Sequence, residues 1–211
     1  MPEIKYAIFD VGQTVYPFTL QPLIDYMQKE TAEPEVFANH HTPRFYDYNP
    51  YMKGKITNAE FAEELCFFCR VPYHENRLEE INQALHKGCG SPFPQTLKAM
   101  NILRQNKVEI CLLSNALPLL ADTGSCLTKP ELAFTSYDLH LLKPDTAIFQ
   151  TVLDKLNTTP ERTLFFDDKS TNIKAAQSLK MNGIVYRPET VLKELSFYLP
   201  PAPMTLRSRE V

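Results

Sequence analysis

A chain of 211 residues leaves room for one full domain with a smaller insert, not for two large ones. Its 22 Lys and Arg against 25 Asp and Glu give a formal net charge of −3, which offers no basic footprint for nucleic acid and no polybasic anchor for a membrane. A hydrophobic fraction of 44% suits a buried core, and no apolar run approaches the length of a membrane span.

The first residues, Met1-Pro2-Glu3-Ile4-Lys5, lack the charged and apolar regions of a secretory leader, so a cytoplasmic protein is expected. Tyr6-Ala7-Ile8-Phe9 is then a near-continuous apolar run, as a strand buried on both faces of a parallel sheet requires. About eighty residues without a strand signal follow, up to Gln95. They carry three helical stripes: Leu20, Leu23, Ile24 and Met27; Phe61, Leu65 and Phe68; Leu78, Ile81 and Leu85. Residues 17–90 therefore read as a small all-helical insert on the mouth of the sheet. Its aromatic stretch from Phe45 to Tyr51 is expected in a loop, and its exit, Gly88 to Pro94, as a hinge or linker.

The five cysteines, at 66, 69, 89, 111 and 126, are an odd count and form no disulfide framework. Cys66 and Cys69 form a C-x-x-C, but within a helical pattern and without a second metal-binding pair. They read as small buried apolar residues.

After the insert, strands and helices alternate. Leu97, Met100 and Leu103 mark a helix from Gln95 to Asn106, followed by an apolar strand at Val108–Leu113 and a weaker one at Ala133–Thr135. Ile148, Phe149, Val152 and Leu156 make one face of a helix from Asp145. Strands follow at Thr163–Phe166 and Gly183–Tyr186, with a helix between them that Asn172 could cap. The pattern predicts an α/β chain with a Rossmann-like, doubly wound, mostly parallel core. Residues 1–16 and 91–199 form that core, 17–90 the cap and 200–211 a loose tail.

In an open α/β sheet, ligands bind beyond the carboxyl ends of the strands. The residues there are Asp10, Ser114-Asn115 and Asp167-Asp168, joined by Lys143-Pro144 before the helix at Asp145. Carboxylates crowded together need a cation, and oxygen ligands favour Mg²⁺. A lysine and a hydroxyl beside such an ion suit a phosphoryl group.

Phe9-Asp10-Val11-Gly12-Gln13-Thr14-Val15 resembles the first motif of the haloacid dehalogenase superfamily. Leu112-Leu113-Ser114-Asn115 is similar to its second motif, Leu142-Lys143-Pro144-Asp145 to its third and Phe165-Phe166-Asp167-Asp168 to its fourth. The helical insert after the first motif matches the cap of one class in that superfamily. Within it, Gly54-Lys55-Ile56-Thr57 followed by Glu60-Phe61 resembles bacterial phosphatases that act on α-D-glucose 1-phosphate.

The resemblance implies a Mg²⁺-dependent phosphatase acting on a small phosphorylated metabolite, such as a sugar phosphate. Asp10 would be the nucleophile. Its second oxygen would hold Mg²⁺ together with the Gly12 carbonyl and Asp168, while Asp167 is either a further ligand or a partner behind the ligands. Asp168 is preferred because Ile173, five residues on, falls where the fourth motif places an apolar helix residue. Ser114 and the Asn115 backbone would bind phosphoryl oxygens, and Lys143 would neutralise charge. His40, His41 and Arg44 read as exposed loop residues. Tyr46, Tyr48 and Tyr51 either stack on a sugar or pack between cap and core.

The departure from the pattern is Gly12, where most phosphatases of the superfamily carry a second aspartate as general acid and base. Such a group contributes on the order of 10²–10⁴-fold. Its absence favours a leaving group more acidic than a simple alcohol, and Gln13 and Thr14 are candidates to orient water. The members similar to glucose 1-phosphatases also carry glycine here. Two other functions fit the same residues. One is a catalytically idle relative that binds a ligand or partner. The other is a metal-independent 2-haloacid dehalogenase, for which the Asp167-Asp168 pair has no use.

Overall fold

The computed structural model describes residues 3–121 and 132–199; Cys126 and the tail from Pro200 lie outside them. Five strands, β1 (Tyr6–Phe9), β2 (Glu109–Ser114), β3 (Leu132–Thr135), β4 (Thr163–Asp167) and β5 (Asn182–Val185), form one sheet in the order β3-β2-β1-β4-β5. All four pairings are parallel. From β1 the chain steps outward to β2 and β3, then returns across β1 to β4 and β5. The connections diverge between β1 and β4, which is where an open sheet leaves a crevice.

Alternation along the strands sorts the core into two layers. Ala7, Phe9, Ile110, Leu112, Leu164 and Phe166 face α6 (Pro94–Gln105) and α10 (Val191–Leu195). Tyr6, Ile8, Cys111, Leu113 and Phe165 face α8 (Thr146–Leu156) and α9 (Ser170–Ser178). Phe9 and Phe166 stack with ring centroids 4.2 Å apart, fixing β1 against β4 beside the crevice. Buried on both faces, β1 and β4 must be continuously apolar, and that is how the sequence reads.

Between β1 and α6 lie α1 (Gln21–Glu30), α2 (Pro34–His40), α3 (Asn49–Met52), α4 (Asn58–Phe68) and α5 (Arg77–Lys87). They share a cluster of their own, including Leu23, Met27, Phe61, Leu65, Cys66, Cys69, Ile81 and Leu85. The C-x-x-C is thus buried among apolar side chains, and burial pushes its thiols up to about 11 and about 12. The expected aromatic loop is partly helical: Pro43–Phe45 makes a 3-10 turn and Asn49–Met52 is α3. Short turns of this kind, and the seven-residue α2, carry too little periodicity to register in the sequence.

The exit of the insert, expected as a hinge or linker, pairs with the entry. Thr19 N–H donates to Gly88 C=O at 3.0 Å, Gly90 N–H to Pro17 C=O at 3.0 Å and Phe93 N–H to Val15 C=O at 2.7 Å. The close approach requires glycine: a Cβ on Gly88 would lie 2.1 Å from the Thr19 carbonyl oxygen. Gly88→Ala is expected to lower stability by about 1–3 kcal/mol, as overpacking against backbone does, measured by urea unfolding. A second attachment runs through α3. Ser136, the first residue of α7 (Ser136–Leu139), donates through Oγ to Met52 C=O at 2.6 Å, and Leu119 N–H donates to the Tyr51 hydroxyl at 3.0 Å. Among the described residues no helix is long and apolar enough to cross a membrane.

Candidate active site

The carboxyl edge of the sheet gathers the polar residues singled out above. Asp10 N–H donates to Phe166 C=O at 2.8 Å, so the pairing of β1 with β4 runs one residue past the strand and holds Asp10 at its mouth. Lys143 reaches the same point from the segment before α8. Its Nζ donates to Asp10 Oδ1 at 2.5 Å, to Asp167 Oδ2 at 2.9 Å and to Leu113 C=O at 2.8 Å. Three acceptors use all three ammonium protons, so this buried lysine has a single orientation.

Asn115 fixes the backbone of that lysine. Its Nδ2 donates to Lys143 C=O at 2.9 Å, and its Oδ1 accepts from Lys143 N–H at 2.9 Å. The Lys143-Pro144 peptide is cis. Asp145 then starts α8, its side chain accepting from Ala147 N–H at 3.0 Å.

The two aspartates that end β4 differ in setting. Asp167 is fully buried; Oδ2 also accepts from Asn172 Nδ2 at 2.8 Å, and Oδ1 from Lys169 N–H at 2.8 Å. Asn172 therefore does not cap α9 as expected. It lies in the helix's first turn and spends its amide on Asp167. Asp168 is half-buried and borders the cavity. Asp10, Asp167 and Asp168 each offer an oxygen within 4.8 Å of the others.

Charge crowding shows in the acidities. Burial raises the Asp10 carboxyl to about 6, a rise that Lys143 opposes and Asp167 reinforces. Burial, then Asp167, raises Asp168 above the usual carboxylate range. Burial pulls Lys143 down, but its two carboxylate partners outweigh this and keep it charged.

These groups open into a cavity of about 230 Å³. Asp10, Gly12, Ser114, Asn115, Lys143 and Asp168 all border it, so the residues expected to carry the chemistry share one space. Sequence reasoning missed Phe18 and Cys89, from the paired entry and exit of the insert, and Leu117 and Leu120, beyond β2. No periodicity marks a wall built from turns. Gln13 borders the cavity with its Nε2 bonded to Phe18 C=O at 2.7 Å, whereas Thr14 is fully buried and lies off the cavity lining, so Thr14 does not fit a water-orienting role.

Other candidates fall outside the cavity. Tyr46 donates to Glu64 at 2.8 Å, Tyr48 to Pro43 C=O at 2.8 Å and Tyr51 to Asn58 at 2.7 Å; the first two pack within the insert, while Tyr51, which also accepts from Leu119 N–H, joins insert to core. His40, His41 and Arg44 do not border the cavity either. Gly54, at φ +64°, makes a tight turn against Tyr137, while Thr57 and Glu60 form the capping box of α4. The segment that resembles the glucose 1-phosphate phosphatases is thus a turn and a helix start. Thr57→Ala is expected to cost about 1 kcal/mol of stability and leave turnover unchanged, read by thermal unfolding beside an activity assay.

A family model described as haloacid dehalogenase-like hydrolase matches residues 4–180, which include all four motifs. The chain belongs to that family. It is 31% identical over 160 residues to acyl-CoA dehydrogenase family member 10 of Mus musculus, matching 71% of this chain and 14% of that protein. It is also 31% identical over 163 residues to bifunctional epoxide hydrolase 2 of Sus scrofa, matching 68% of this chain and 29% of that protein. The chain thus spans less than a third of either relative. A solved structure of a haloacid dehalogenase family enzyme from Bacteroides thetaiotaomicron, in complex with magnesium and inorganic phosphate, superposes with a TM-score of 0.70 at 22% identity. The match covers 88% of this chain and 95% of that one, a likeness of fold.

Proposed function

We propose that this hydrolase is a Mg²⁺-dependent phosphatase that cleaves a small phosphorylated metabolite through an aspartyl-phosphate on Asp10. The observation that carries this reading is the gathering of three carboxylates within 4.8 Å around one lysine. One ammonium does not balance three carboxylates, and their donors are all oxygen, so the residues fit a small hard cation. Asp10, Asp168 and the Gly12 carbonyl would hold it, with Asp167 set behind them because its oxygens already accept from Lys143, Asn172 and Lys169. Bound Mg²⁺ would supply neutralising charge to the phosphoryl oxygens.

The side chains then have distinct tasks. An Asp10 carboxylate oxygen attacks phosphorus as the ester P–O bond breaks; the leaving oxygen departs with the electron pair and takes a proton from solvent once free. Lys143, held by three acceptors, keeps Asp10 aligned and offsets its charge. The Ser114 hydroxyl and the Asn115 N–H hold phosphoryl oxygens, while the Asn115 amide fixes the Lys143 backbone. Water then attacks the aspartyl-phosphate, releasing phosphate and regenerating Asp10.

Phosphate release from p-nitrophenyl phosphate and glucose 1-phosphate tests this. Turnover should need Mg²⁺, stop with EDTA and return when Mg²⁺ is added in excess. Chloride release from a 2-haloacid in EDTA would overturn the reading in favour of a dehalogenase. Phosphate binding without turnover of any ester would favour the idle relative.

A further inference from the structure

We infer that the substrate's leaving group is an apolar, aryl-type oxygen rather than a sugar: the cavity has a polar floor and an apolar wall. This rests on the phosphatase reading and narrows it. The floor is Asp10, Ser114, Lys143 and Asp168, at the sheet edge where phosphorus must sit. The wall is Val11, Phe18, Cys89, Leu117 and Leu120, together with Tyr16, the member that carries a hydroxyl.

Lys169 borders the cavity beside Asp168, at the polar floor, and most of the other nearby polar side chains already have partners. Gln13 Nε2 donates to Phe18 C=O, and Asn115 is bonded through both amide atoms to the Lys143 backbone. Asn172 Nδ2 donates to Asp167, and the Cys89 thiol points at Leu85 C=O, at 3.9 Å. A sugar ring presents several hydroxyls, each of which must exchange water for a protein partner. Against this wall most would find none, and each buried unpaired hydroxyl weakens binding by roughly tenfold. An aromatic ring gives up only apolar surface there.

Gly12 points the same way through different chemistry. Without an acid at this position the leaving oxygen departs unprotonated, which suits a phenol, with a pKa of about 10, better than an aliphatic alcohol. The volume of about 230 Å³ lies below the roughly 300–1,000 Å³ of drug-sized sites. It suits a phosphoryl group with one small organic body.

The test compares kcat/KM for phenyl phosphate, benzyl phosphate and glucose 1-phosphate in Mg²⁺, beside calorimetric binding of phenylphosphonate and methylphosphonate. Phenyl phosphate should exceed glucose 1-phosphate by at least about tenfold, and phenylphosphonate should bind about tenfold tighter than methylphosphonate. Phe18→Gln and Leu120→Gln, two separate points on the wall, should each shrink both ratios about threefold. Glucose 1-phosphate turned over as fast as phenyl phosphate, or equal binding of the two phosphonates, overturns the inference while leaving a working phosphatase. If no ester releases phosphate, the phosphatase reading fails. In that case the phosphonate ratio still decides whether the wall selects apolar groups.

Discussion

Asp10→Asn should abolish phosphate release, by on the order of 10⁴–10⁶-fold, and no Mg²⁺ concentration should restore it. The amide keeps the shape of the carboxylate but lacks the anionic oxygen that attacks phosphorus. Stability should hold or rise. The buried carboxylate carries a desolvation cost large enough to lift its pKa to about 6, and the neutral amide removes that cost. Lys143 would still have Asp167 and the Leu113 carbonyl as acceptors. Asp168→Asn should behave differently. Asp168 is half-buried and borders the cavity, while the Lys143 ammonium bonds go to Asp10, Asp167 and Leu113 C=O, so the change weakens Mg²⁺ binding without removing the nucleophile. Raising Mg²⁺ should recover much of its activity by mass action. Mg²⁺ titrations of both variants, with thermal unfolding as the control, separate the two roles. If Asp10→Asn recovers with Mg²⁺, or Asp168→Asn does not, the assignment of nucleophile and ligand is wrong.

The parts legible in the sequence were those with strong local signals. β1 and β4 are buried on both faces, so nothing polar interrupts Tyr6–Phe9 or Thr163–Phe166, and the first polar residue after each marks the sheet edge. The same rule applied to β2 marks Ser114, and after β1 and β4 it marks Asp10 and Asp167-Asp168. Residues whose meaning depends on the far side of a loop stayed hidden. Asn172 has the chemistry of a helix cap, but β4 places Asp167 Oδ2 2.8 Å from its amide, and the tertiary partner wins. Asn115 was read for its backbone, while its side chain closes a two-bond pair with Lys143, 28 residues on. The Gly88–Pro94 stretch reads as a hinge or linker; the demand at Gly88 is steric, set by the Thr19 carbonyl 69 residues earlier in the chain. The apolar wall of the cavity comes from turns, which have no period to read.

Gly12→Asp should raise turnover of poor leaving groups most. An ideal Cβ at Gly12 meets nothing within 4 Å, and its φ lies outside the left-handed region, so a side chain enters the cavity without strain. The backbone carbonyl assigned to Mg²⁺ is unaffected by the substitution. A carboxyl group there can protonate the departing oxygen and later take a proton from the attacking water, functions worth on the order of 10²–10⁴-fold. The gain cannot be uniform. A phenolate leaves without help, whereas the alkoxide of benzyl alcohol does not, so benzyl phosphate should gain about 100-fold and phenyl phosphate only a few-fold. Plotted as log kcat/KM against leaving-group pKa, the native protein should give a steep negative slope and the variant a shallow one. An added negative charge beside Asp10 and Asp168 also repels the dianionic ester, which raises KM for every substrate and leaves the slope unchanged. The slope therefore isolates proton transfer from binding. Parallel lines for the two proteins would mean that protonation of the leaving group does not limit the native reaction, and the account of Gly12 would fail.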